Sequence, residues 1–172
     1  MEIKDIYEPP FDCDKCPRLK NFRNSIKIEY PSWYNKPVRS FGSINSKILI
    51  VGLAPGKKGA NRTGRPFTGD GAGETLFKSL IKNNLAKGDY NIHGFDNLKL
   101  INSRITNIVK CVPPKNKPKA NEIKNCSFYL KKEITNMKNL EKILTLGRDA
   151  FNSILNFYEL SKTKNSFSHN KK

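Results

Sequence analysis

Ile48-Leu49-Ile50-Val51-Gly52 runs on as Leu53-Ala54-Pro55-Gly56-Lys57-Lys58-Gly59-Ala60-Asn61-Arg62-Thr63-Gly64-Arg65-Pro66-Phe67-Thr68-Gly69-Asp70-Gly71-Ala72-Gly73. The reading of this stretch decides the fold. A short apolar run rich in β-branched residues and stopped by a glycine reads as a buried parallel strand. Functional groups of open α/β sheets sit just past the carboxyl ends of such strands. The glycines of the following loop, Gly52 to Gly69, let backbone approach a ligand closely. Phe67 adds an aromatic face, Asp70 a carboxylate, and Arg62 and Arg65 two guanidiniums. Together they suit a planar group attached to a phosphate backbone. A Walker phosphate loop fits poorly, because it needs four residues between Gly and Gly-Lys and then Ser or Thr. Here three residues separate Gly52 from Gly56-Lys57, and Lys58 follows.

Working outward, a helix is expected over about Glu74–Asn84, with Leu76, Phe77, Leu80 and Ile81 on one face. Residues 86–97 read as a polar connection. A second strand spans Arg104–Val109 and is stopped by Pro113-Pro114. The basic loop Lys115–Lys119 leads into a helix over about Asn121–Met137. A third strand, Lys142–Leu146, ends at Gly147, and a third helix covers about Arg148–Phe157. The alternation of strand and helix indicates an α/β protein: a three-layer α/β/α domain with a small parallel sheet. Residues 1–46, with Pro9, Pro10, Pro17, Pro31 and Pro37, read as an irregular, basic N-terminal segment. Residues 47–160 form the core and 161–172 a polar tail, giving a single domain over 1–172.

The 172 residues suffice for one domain with a core. No stretch approaches the ~18 apolar residues of a membrane span, and the first residues do not resemble a signal peptide. A soluble, cytoplasmic monomer that does not engage membranes is the expectation. Lys and Arg number 32 against 15 acidic residues, a formal net charge of +17. Such an excess speaks about partners, and nucleic acid is the first candidate.

The four cysteines are Cys13, Cys16, Cys111 and Cys126. In a cytosolic chain disulfides are not expected. Four thiolates match one tetrahedral zinc or one [4Fe–4S] cluster. A zinc ribbon usually keeps its second pair close together, whereas Cys111 and Cys126 are split by a loop and part of a helix. The spacing favours the cluster, with zinc and four unrelated thiols as alternatives. His93, in the polar connection, and His169, in the tail, read as surface residues.

These motifs together resemble the iron–sulfur uracil-DNA glycosylases. The resemblance covers Cys-x-x-Cys, Gly52–Gly56, Gly59–Asp70, and Thr106-Asn107 ahead of Lys110-Cys111. Leu53, where the family 4 type has Glu, is similar to family 5, also called type B. The resemblance implies a uracil-DNA glycosylase-like fold and a hydrolase cleaving the N-glycosidic bond of uracil, and of other deaminated bases, in DNA. That reaction starts base excision repair. The resemblance implies that Phe67 stacks on the base beside Gly52, Leu53 and Ala54, that Asn107 bonds the base edge, and that Asp70 assists water attack. It also implies a [4Fe–4S] cluster on the four cysteines. Arg62, Arg65, Lys115 and Lys117 are the expected DNA contacts. The family closes its sheet with a fourth strand followed by a His-Pro-Ser type motif. This sequence has no His-Pro pair, so the last strand is expected to be missing. The alternative function is a catalytically impaired nucleic-acid-binding remnant with a structural iron–sulfur or zinc site. A zinc-stapled module unrelated to repair is a third reading.

Overall fold

In the computed structural model, which describes residues 7–169, the first element is helix α1, Pro17–Glu29. This corrects the expectation of an irregular N-terminal segment. The prolines bracket the helix instead of preventing it. Pro17 sits in the first turn, where no N–H is needed, and Pro31 follows the Tyr30 cap. Leu19, Arg23 and Ile26 are buried at helical spacing. Residues 1–6 of that segment and 170–172 of the tail lie outside the described residues.

Strand β1, Ile48–Gly52, is followed by the single-turn helix α2, Ala60–Thr63, and by α3, Gly71–Lys82. Asp70 caps α3, its side chain accepting from the Gly73 N–H at 3.1 Å. An Asp at this position satisfies an otherwise orphaned donor of the first turn. The polar connection contains β2, Ala86–Lys87, which pairs antiparallel with β3, Lys99–Leu100. Then come β4, Ser103–Asn107; a 3₁₀ turn, Pro114–Asn116; α4, Ala120–Asn136; β5, Lys142–Thr145; and α5, Arg148–Phe157.

The main sheet has the order β4-β1-β5, with both pairings parallel. Side chains alternate across a strand, so β1 feeds two cores. Leu49 and Val51 pack with Tyr129, Leu130 and Ile134 of α4, Ala150 of α5 and Leu19 of α1. Ile50 packs with Ile105 of β4 and with Phe77 and Leu80 of α3. Burial on both faces explains the unbroken apolar run, and the result is the expected three-layer α/β arrangement. The two sheet edges differ. Phe41 bridges to Ile105 and covers the outer side of β4. Strand β5 pairs only with β1 among the described residues, and Leu144 is 49% exposed.

Charge is buried between β4 and α4. Glu133 of α4 accepts from Arg104 Nε at 2.7 Å, Thr106 Oγ1 at 2.8 Å and Lys110 Nζ at 3.2 Å. Glu8 lies 3.2 Å from Arg104 and 3.4 Å from Lys110. Burial raises the Glu133 carboxyl, but the Lys110 and Arg104 charges outweigh it and hold the group below the ordinary carboxylate range.

Candidate active site

Gly52 and Asn107 end neighbouring strands and are register partners. They share the α3-facing side of the sheet with Ile50 and Ile105, by the two-residue alternation. A side chain on Gly52 would run into the Phe67 ring and the Asn107 side-chain oxygen. Glycine is therefore required for those two groups to meet over the strand end. Phe67 holds a left-handed backbone, φ 54°, which is strained for an aromatic residue. The strain is held by packing at Gly73, where a Cβ would strike the Phe67 carbonyl.

The slot beneath has a volume of about 60 Å³. Ala54, Pro55, Gly56, Phe67, Asp70 and Asn107 line it. One oxygen of Asp70 caps α3, and the other would lie 2.6 Å from a Cβ on Gly59. The carboxylate is thus fixed at one end and stands over the glycine-rich loop at the other. Asn107 is buried, yet its amide makes no hydrogen bond to the rest of the described chain. An amide carries both donors and acceptors, so it is available to a ligand in the slot. Leu53 is not among the residues lining the slot; its side chain packs toward the cysteine side of the sheet, and its carbonyl accepts from Val109 N–H at 3.0 Å.

Cys13, Cys16, Cys111 and Cys126 line one small cavity between α1, the segment after β4, and α4. Among the described residues no group of three or more His, Cys, Asp or Glu side chains is arranged to hold a metal ion. Burial pushes the Cys111 thiol up to about 11 and the Cys126 thiol up to about 12. Arg23, buried, donates to Cys111 Sγ at 2.7 Å and to the Cys13 carbonyl at 3.2 Å. No carboxylate pairs with Arg23 among the described residues. A buried cation needs an anionic partner, and sulfur is the atom set against it. Lys110 N–H also points to Cys126 Sγ, at 3.3 Å.

The pattern of the uracil DNA glycosylase superfamily matches residues 39–170. The chain belongs to that superfamily. It is 38% identical over 162 residues to the Type-5 uracil-DNA glycosylase of Pyrobaculum aerophilum, spanning 92% of this chain and 70% of that one. The Type-5 uracil-DNA glycosylase of Thermus thermophilus is 35% identical over 91% of this chain and 74% of its own. A Type-4 uracil-DNA glycosylase of Pyrobaculum aerophilum is 32% identical over 86% of this chain and 61% of its own. Leu53 in the glycine-rich loop accords with the Type-5 matches.

Within this superfamily member, the arginine and lysine residues expected to touch DNA divide into two groups. Lys115 and Lys117 are exposed on and beside the 3₁₀ turn. Arg62 is half-buried, and among the described residues its guanidinium donates only to the Gly69 carbonyl, at 3.4 Å. Arg65 does not fit the DNA-contact role. Both of its terminal nitrogens are bound to the Asp96 carboxylate at 2.6 Å, and its Nε donates to Thr68 at 2.7 Å. The Arg65 hydrogen bonds hold Asp96 below its ordinary value. Arg65 therefore fastens the 91–97 turn to the glycine-rich loop. The sequence reading missed this because Asp96 lies far along the chain in an unremarkable polar stretch. It missed Arg23 likewise, because the helix was not expected. The period Leu19, Arg23, Ile26 was the available signal.

Proposed function

We propose that the protein hydrolyses the N-glycosidic bond between uracil and deoxyribose in DNA and so starts base excision repair, with other deaminated bases as further substrates. The observation that carries this reading is the meeting of Phe67 and Asn107 over Gly52, with Asp70 on the rim of the same slot. Chemistry on a base requires it to leave the stack and be read by stacking and edge hydrogen bonds. Phe67 supplies the stacking face beside the Gly52–Leu53–Ala54 backbone, and Asn107 reads the base edge. Bond cleavage develops positive charge on the sugar and negative charge on the departing base. Asp70 orients a water toward the anomeric carbon, accepts its proton and stabilises the cationic sugar. The water oxygen bonds to carbon as the carbon–nitrogen bond breaks, and the bonding electron pair leaves with the base. The net charge of +17, with Lys115 and Lys117 exposed, supplies phosphate contacts. The protein acts as a monomer in the cytoplasm.

The four cysteines are the residues that would hold a [4Fe–4S] cluster. Their softness suits iron–sulfur ligation, and the buried Arg23 beside Cys111 suits anionic sulfur. Such a group, when bound, supplies a staple between the N-terminal segment and the sheet. Residues of the slot carry the reaction. The test is release of uracil from a duplex oligonucleotide, with iron and zinc measured in the same preparation. Uracil release and iron in cluster stoichiometry are expected. Uracil retained in the duplex after prolonged incubation overturns the catalytic reading, and a single zinc overturns the cluster.

A further inference from the structure

A second depression lies across α2 from the slot. Ala60 lines the slot, whereas Arg62 and Thr63 of the same helical turn line the second groove. Ser32, Trp33, Tyr34, His93 and Phe95 complete its walls, and its volume is about 460 Å³. No carboxylate lines it. We infer that this groove is a second nucleotide subsite: it takes an unstacked base of the DNA strand next to the excised one, between Phe95 and the Trp33–Tyr34 wall, with a phosphate on Arg62.

Three observations carry the inference. The first is that Phe95 is 88% exposed on a turn built to hold it there. Asp96 accepts from the backbone N–H groups of Asn91 and Leu98 and pairs with Arg65, while Gly94 N–H returns to the Asn91 carbonyl. A large apolar ring held out in water by an ordered turn is free to stack on a ligand. The opposite wall is equally fixed. Tyr34 and Asn35 N–H groups donate to the Arg62 and Asn61 carbonyls at 3.1 Å each, and Asn61 Nδ2 donates to Asn35 Oδ1 at 2.9 Å. Trp33 stacks on Tyr30 with ring centroids 3.9 Å apart. The third observation is Arg62 itself. Its Nε is buried without a hydrogen-bond partner, and no carboxylate pairs with it among the described residues. Such a guanidinium is completed by an anion. Aromatic faces beside an unpaired arginine are the recurring chemistry of single-stranded nucleic-acid binding.

The inference rests on DNA being the substrate, and the test keeps the two readings separable by using uracil-free oligonucleotides. Trp33 is the only tryptophan in the chain, so its emission reports the groove directly. Titration with a labelled single-stranded oligonucleotide should quench Trp33 in parallel with the rise in label anisotropy. An oligomer of abasic sites with the same phosphates should bind without the quench. Phe95→Ala should weaken binding of the base-bearing strand by about tenfold, and because the ring is exposed the variant should keep the wild-type melting temperature, which thermal melting checks. Arg62→Gln should weaken both oligomers and lower the salt slope by about one unit. Anisotropy that saturates with Trp33 unchanged, equal quenching by the abasic oligomer, or wild-type affinity in Phe95→Ala overturns the inference. A chain that quenches without releasing uracil leaves the groove standing and removes the catalytic reading; the converse removes the groove alone.

Discussion

The slot at the end of β1 is assembled from backbone and small residues, whereas the seam between β4 and α4 is assembled from charge. In the slot, Gly52 admits Phe67 and Asn107, Gly59 admits Asp70, and Gly73 admits the Phe67 carbonyl. In the seam, Glu133, Arg104, Lys110 and Glu8 are buried together. The two regions use opposite faces of the same strand: Asn107 faces the slot, and Thr106 bonds Glu133. Substitutions in the slot should therefore alter chemistry with little loss of stability, and substitutions in the seam should do the reverse.

The largest effect is expected in the seam. Glu133→Ala leaves Arg104 and Lys110 buried with Glu8 as the remaining carboxylate, and removing one partner of a buried pair costs about 3–5 kcal/mol. Chemical denaturation measures it; a loss below 1 kcal/mol would break the contrast. The pH dependence carries the same sign. The Glu133 carboxyl is held low in the folded state, so its stabilisation is present above the unfolded carboxylate value and is lost as pH falls through the folded value. Wild-type melting temperature should drop across that acid range, and Glu133→Gln should flatten that part of the profile.

Next comes Asp70→Asn. Asparagine caps a helix as well as aspartate does, so α3 should keep its stability while the chemical step slows by ~100-fold. Single-turnover rates equal to wild type show that Asp70 is the wrong residue. Phe67→Ala should weaken binding of the flipped base by ~1–3 kcal/mol, read as a loss for uracil-containing DNA over undamaged DNA. The smallest effect belongs to Lys117→Ala, outside both regions. It should weaken all sequences alike and lower the log–log salt slope by roughly 0.9; a sequence-dependent loss would contradict a phosphate contact.

The slot was legible in the sequence because its parts are local. Gly52 to Gly73 is one stretch, and Asn107 comes from the end of a second recognisable strand. The seam was illegible for the opposite reason. Glu133 on α4 looks like any acidic residue on a basic helix, and its partners are spread from Glu8 to Lys110. Arg65 misled because its motif position suggested a ligand contact, while its partner Asp96 sits in a stretch with no pattern. Helix α1 was hidden by prolines that in fact mark its ends.

The seam also has a consequence for the order in which the protein assembles. Synthesis delivers Glu8 first, Arg104 and Lys110 much later, and Glu133 last. Until α4 has emerged from the ribosome, two cations destined for the interior have one carboxylate between them. Burying them in that state is unfavourable, so β4 gains little by closing early against its inner layer. Closure of this layer should therefore be a late event, following synthesis through α4.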